Sequence, residues 1–268
     1  MIWIFVKAPS PGGLLLDAYP GAVGAFSLRQ LRTAQTNCVT VRRASDNTEQ
    51  TFGFSSNIID ASALTSFTSG TNGDVKTWFN QIGSNDVSQS TASKQPRIVT
   101  SGSIETDGSD YAVNFVKTDA DIMTGNILST SKVYTIFAVC KLATAQDNYV
   151  LHLNGTASGY GLYTQGGQWK PFNRGVADFG TGAYSTNTVL ITLCRKSDSD
   201  LTIRLNGTQT YSGTNSSMIT PTGSFYLGGG DFGDTFGGDL LEWVCYDSDQ
   251  SANISAIEGN IQSYYANV

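Results

Sequence analysis

From about residue 110 onward the chain is a series of short apolar segments, each cut off by Gly, Asn, Ser or Thr. The segments are 112–115, 133–142, 149–154, 160–164, 168–172, 188–196, 201–205, 224–228 and 240–246. Strands that follow one another with no helix between them lack the crossovers that parallel pairing needs, so they pair antiparallel. Leu205-Asn206-Gly207-Thr208 is a tight-turn signal, because Asn-Gly tolerates positive φ at both central positions. Lys196-Ser197-Asp198-Ser199-Asp200 reads as another turn. The pattern predicts an all-β fold, an antiparallel β-sandwich or jelly roll.

The flanks read differently. A short helix is expected around Gly24–Arg32, a strand at Val39–Arg43, and a helical turn after Asp60, whose carboxylate is placed to accept from the following N–H groups. The segment 75–81, with Trp78 and Phe79, reads as buried. Ile254, Ile257, Ile261, Tyr264 and Tyr265 recur at three and four residues, one face of a terminal helix that Ser251 or Asp249 would cap. Residues 1–13 read as an arm: Ile2, Trp3, Ile4, Phe5 and Val6 are β-prone and run into Ala8-Pro9-Ser10-Pro11-Gly12-Gly13. Such an arm adds a strand to a neighbouring copy or forms the first strand of its own sandwich. No repeat and no composition shift divides 14–268, which reads as a single domain.

Charge is scarce. Only 14% of residues are Asp, Glu, Lys or Arg, against roughly 25% in an average domain. A helical bundle is disfavoured, since helix surfaces are solubilised by Lys, Glu and Arg. The net charge of −6 argues against nucleic acid, which needs clustered cations; the densest basic group is Arg42-Arg43. No apolar stretch is long enough to span a membrane as a helix. The opening hexapeptide lacks a basic flank and a cleavage site, so assembly in a cytoplasm is expected. Cys38, Cys140, Cys194 and Cys245 have no CxxC spacing and the chain has a single histidine, His152, so buried free thiols and no metal or other cofactor are expected. Asp231-Phe232-Gly233-Asp234 and Asp198-Ser199-Asp200 bring oxygens together, but calcium takes about six to eight of them.

Four stretches carry a family resemblance. They are Ala25-Phe26-Ser27-Leu28-Arg29 followed by Val41-Arg42-Arg43-Ala44-Ser45-Asp46-Asn47-Thr48-Glu49; Thr77-Trp78-Phe79-Asn80-Gln81-Ile82-Gly83-Ser84-Asn85-Asp86; Cys194-Arg195-Lys196-Ser197-Asp198 with Ile203-Arg204-Leu205-Asn206-Gly207; and Asp247-Ser248-Asp249-Gln250-Ser251. Together they resemble the concanavalin A-like (laminin-G-like) sandwich proteins encoded by bacteriophages, which in turn look like the catalytic domain of fungal α-L-arabinofuranosidase B. The resemblance implies a concanavalin A-like sandwich with short N-terminal helices and a C-terminal helix.

It also implies where catalysis would sit. A retaining glycosidase needs two carboxylates about 5–5.5 Å apart. Tyr226-Leu227-Gly228-Gly229-Gly230-Asp231 matches the segment that carries the family's acid/base, so Asp231 would inherit that role. The nucleophile position falls on or near Tyr149. Asp147, two residues upstream, would be displaced about 6–7 Å along a strand. On this ground no catalytic residue is expected. The expected function is a non-catalytic virion protein, a capsid decoration or a tail or fibre component at the virion surface. Its expected partners are other virion proteins and further copies of itself. A host polysaccharide is a further expected ligand, held by Tyr160, Tyr163, Trp169, Asn173, Asp231, Phe232 and Phe236. The alternative is an arabinofuranosidase-like hydrolase with Asp231 as acid/base.

Overall fold

The computed structural model describes residues 13–147, 149–156, 159–173, 182–197, 200–214, 220–231, 233–265 and 267–268, with backbone alone at Phe172 and Asn173. The arm residues Ile2, Trp3, Ile4, Phe5 and Val6 lie outside the described residues, as do Asp198 and Ser199. The described chain is mostly strand, and its strand pairs are antiparallel.

The pairings fall into two layers. One runs Ala22–Ser27, Gly238–Tyr246, Tyr134–Leu142, Val189–Arg195, Asp200–Leu205 and Thr208–Thr214. The other runs Gln168–Asn173, Tyr160–Gln165, Val150–Asn154, Ser224–Leu227, Met123–Asn126, Val87–Ser88, Gly73–Trp78, Asn37–Arg43 and Glu49–Ser55. Arg97–Thr100 pairs with Gly73–Trp78 and meets Val113–Phe115, which pairs in turn with Gly238–Tyr246, so the layers are stitched at one edge. This is the expected β-sandwich.

Period two decides which side chains fill it. Along Tyr134–Leu142, the side chains Tyr134, Ile136, Ala138, Cys140 and Leu142 enter the core between the layers. Phe137 and Val139 point the other way, into a second cluster with Leu15, Leu16, Ile254, Ile257 and Ile261. That strand is buried on both faces because the terminal helix Ile254–Tyr264 covers it. Two ion pairs, each with a buried carboxylate, fasten the helix region. Arg29 grips Glu242 with two bonds of 2.6 and 2.9 Å and reaches Asn260 on the helix. Glu258 on the helix accepts from Arg204 and Thr192.

Several local expectations hold. Asp60 caps Ala61–Thr68 through the Ala63 N–H, and Asn206-Gly207 makes the hairpin turn with φ of 49° and 77°. All four cysteines are buried free thiols, and burial pushes Cys245 up to about 12. Two differ. The helix expected at 24–32 is instead the strand Ala22–Ser27. Gly24 lies so close to Leu128 and Trp243 that a Cβ would meet them at 2.7 and 3.0 Å, and Ala25 and Phe26 enter opposite clusters, as only a strand allows. The terminal helix starts at Asn253 with no side-chain cap; Asp249 accepts instead from the Ser251 N–H in the preceding turn.

Candidate active site

The matched loop is built around a glycine that no other residue replaces. Strand Ser224–Leu227 ends at Gly228, whose φ of +80° and approach to Phe115 leave no room for a Cβ, which would sit 2.1 Å from the ring. Its N–H donates to Leu151 O, and its carbonyl accepts from Phe236 N, each at 2.7 Å. Gly230 N–H then donates to Asp234 O at 3.0 Å, closing a tight loop with the exposed Asp231 at its tip. Gly230 lies against Val150 and Leu153, so the loop rests on strand Val150–Asn154.

The neighbouring segment brings polar groups to the same end. Tyr149 packs edge-on against Phe236, and its hydroxyl is 2.8 Å from the Thr144 hydroxyl. The Lys117 ammonium stands 4.5 Å from the centre of the Tyr149 ring. Burial lowers the Lys117 pKa against the opposing pull of Asp234. Asp147 does not continue the strand. Tyr149 N–H donates to Thr164 Oγ1, and Asp147 folds onto the hairpin turn, accepting from Gly166 N–H, Gly167 N–H and the Tyr184 hydroxyl at 2.8–3.1 Å. The backbone N–H groups of Gly167 and Gly166, then Tyr184, hold its pKa below the usual carboxylate range. Asp147 is therefore a fixed negative charge near neutral pH.

The residues expected to bind glycan are dispersed. Tyr160, Trp169 and Phe236 are buried. Tyr160 stacks on Tyr134 with ring centres 3.9 Å apart, and Phe236 sits between Phe115 and Tyr149. Tyr163 is half-buried, and Asp231 is exposed. Asn173 pairs through its backbone with Tyr160, and Phe232 lies outside the described residues. Sequence reasoning passed over Lys117, Thr144 and Tyr184, which nothing local marks. Their positions follow from long-range packing. His152 is fully buried beside Trp243, and burial lowers its pKa to about 3, so it is neutral. Neither of its ring nitrogens has a hydrogen-bond partner among the described residues.

No family model matches the chain, and no curated protein matches it. Solved structures do. A GH54 α-L-arabinofuranosidase soaked with a cyclic sulfate inhibitor aligns with 93% of this chain and 64% of its own, at a TM-score of 0.73 and 17% identity. An arabinofuranosidase complexed with arabinofuranosyl-α-1,2-xylobiose aligns over the same shares at 0.66 and 17%. A Trypanosoma rangeli sialidase with 2,3-difluorosialic acid aligns with 72% of this chain and 31% of its own, at 0.51 and 13%. The chain thus spans 64% of the length of these arabinofuranosidases. The likeness shows a β-sandwich fold.

These neighbours correct the expectation of a non-catalytic virion protein. The matched folds belong to glycoside hydrolases and a sialidase, and none points to a bacteriophage, a capsid or a tail. The expectation rested on a missing carboxylate at Tyr149, judged as if the chain ran on as a regular strand. The segment before Val150 is not a strand, so counting residues along it does not locate the second charge.

Proposed function

We propose that this protein is a glycoside hydrolase of the arabinofuranosidase type, with Asp231 as the acid/base. The observation that carries the reading is that 93% of the chain follows the arabinofuranosidase fold. Within it, the Gly228–Gly230 turn delivers an exposed carboxylate beside strand Val150–Asn154. Glycoside cleavage passes through an oxocarbenium-like state, which a fixed negative charge stabilises and a proton donor to the leaving oxygen completes. Asp147 is the charged carboxylate just upstream of strand Val150–Asn154, the strand on which the Asp231 loop rests. Its three donors and its lowered pKa suit a group that stays ionised while Asp231 exchanges a proton.

The test compares two substrates. 4-Nitrophenyl α-L-arabinofuranoside has a leaving group that departs with little help; arabinofuranosyl-α-1,2-xylobiose needs its leaving oxygen protonated. Asp231→Asn should lose about 10²–10⁴-fold on the second and far less on the first. Asp147→Asn should slow both. Failure of the wild-type protein to release arabinose from either substrate refutes the reading, and so does an unchanged rate in Asp231→Asn on both.

A further inference from the structure

A polar cavity lies beside the Lys117–Asp119 turn. It measures about 470 Å³ and is lined by Arg42, Asp74, Ser93, Arg97, Asp119 and Asp121, with Ala92, Gln95 and Val116 completing the wall. That is the size of a small-molecule site, for which roughly 300–1,000 Å³ is usual.

Its charges fall into a fixed part and a free part. Arg42 is committed: Nε donates to Gln95, one terminal nitrogen to Asn47, and the other to Asp74 and Ala92 O. Asp74 receives Arg42 on one oxygen and Arg97 on the other, at 2.5 and 3.2 Å. Arg97 uses only Nε in that pair; its two terminal nitrogens donate to no described residue. Asp121 is 3% exposed, yet only Oδ2 is engaged, by the Val116 N–H at 2.8 Å. Oδ1 accepts from no described residue, although the side chain lines the cavity. The exposed Ser93 stands at the same wall.

We propose that this cavity binds a neutral saccharide, with the Arg97 fork donating to sugar hydroxyls and Asp121 Oδ1 facing a neighbouring hydroxyl. A guanidinium offers only donors and a carboxylate oxygen accepts, so side by side they match the two hydroxyls of a vicinal diol. The charge inventory disfavours ionic ligands. Two arginines face three aspartates, and burial raises Asp121 to about 7, so near neutrality the wall carries close to two charges of each sign. An anion meets Asp74 and Asp119, while a cation meets Arg42 and Arg97. Ala92 and Val116 supply apolar surface for the C–H face of a sugar ring. The site goes beyond the hydrolase reading and does not rest on it, since it shares no residue with the Asp231 loop.

Binding is read by titration calorimetry and saturation-transfer NMR. The probes are L-arabinose, D-xylose, D-galactose and their neutral disaccharides, with N-acetylneuraminic acid and inorganic phosphate as charged comparisons. At least one neutral sugar should bind the wild-type protein, and Arg97→Ala should weaken it tenfold or more. Ser93→Trp fills the mouth from an exposed position and should abolish binding while leaving the circular dichroism spectrum and Tm unchanged. Asp231→Asn should leave the affinity intact. Absence of binding by every neutral probe up to 20 mM overturns the proposal. Tighter binding of phosphate or sialic acid overturns it too, as does an affinity lost in Asp231→Asn but kept in Arg97→Ala and Ser93→Trp.

Discussion

Asp121 offers a direct measure of how the cavity treats charge. Burial raises its pKa from 3.8 to about 7, Asp119 and Asp74 add to the rise, and the Val116 N–H and Arg97 oppose it. A carboxyl that holds its proton more tightly in the folded than in the unfolded chain stabilises the fold at low pH. That contribution is complete below about pH 4 and is lost as pH rises through 7. About three pKa units at roughly 1.4 kcal/mol each give a ceiling of about 4 kcal/mol. Solvent at the open mouth screens the charge, and about 2 kcal/mol is the working figure. Asp121→Asn removes the titration and keeps an oxygen for the Val116 N–H. Urea denaturation of both proteins between pH 4.5 and 8 isolates the effect, because every other group titrates alike in the two. The variant should gain on the wild type by about 1–2 kcal/mol across that range. A constant difference at all pH values, or a gain that grows toward acid, refutes the argument.

Two further substitutions probe other buried charges and polar groups. Glu242→Gln leaves the Arg29 guanidinium buried with a neutral partner, although two tyrosine rings and Asn260 still touch it. Chemical denaturation should show a loss of about 3–5 kcal/mol, and a loss under about 1 kcal/mol would mean that Ser27 and Tyr265 carry the site without the ion pair. His152→Leu removes two unpaired ring nitrogens from the core. Its stability at pH 7 should equal or exceed wild type by about 1 kcal/mol. The advantage should widen as pH falls from 6.5 toward 3, because the histidine pKa is lowered in the fold and the unfolded chain takes up the proton first. A loss of 2 kcal/mol or more in Tm-based or urea measurements would show that the imidazole is held by a bond it is not seen to make.

The sandwich was legible because strand parity is written locally. Tyr134, Ile136, Ala138, Cys140 and Leu142 alternate with Phe137 and Val139, and both sets are apolar because both faces are covered. The same parity was available for the aromatic residues and went unused. Tyr160 shares its face with Leu162 and Thr164, which are buried, whereas Tyr163 lies on the opposite face and is partly exposed. Trp169 pairs with Thr164 and therefore follows it inward. The segment Gly24–Arg32 misleads for another reason. Its strand character comes from pairing with Gly238–Tyr246, more than two hundred residues away, which local propensity does not register. Asp147 was visible as a residue but not as a group, because its conformation depends on Thr164 and on the turn at Gly166-Gly167.

The motifs that carried the resemblance hold the scaffold rather than the site. Asn80 accepts from Ala25 and Ile82, and Gln81 ties Leu31 to Ser27 and Arg29, so the 77–86 stretch clamps the first strand. Arg204 spends itself on Glu258 and the Gly207 carbonyl, and Arg29 on Glu242 and Asn260. In a chain with only four glutamates, two are consumed this way in ion pairs that hold the terminal helix. The Arg42–Asp74–Arg97 group is different in kind. Its inner pair is closed, but Arg97 keeps both terminal nitrogens and Asp121 keeps an oxygen, and the two line the same cavity. Desolvating a charge is costly, and leaving its hydrogen bonds unmade adds to that cost. Water in the open cavity meets the partly exposed Arg97 fork and the Asp121 oxygen, and the hydroxyls of a bound sugar would replace that water. The scarce charge among the described residues thus serves both ion pairs that fix the terminal helix and the Arg42–Asp74–Arg97 group at the cavity.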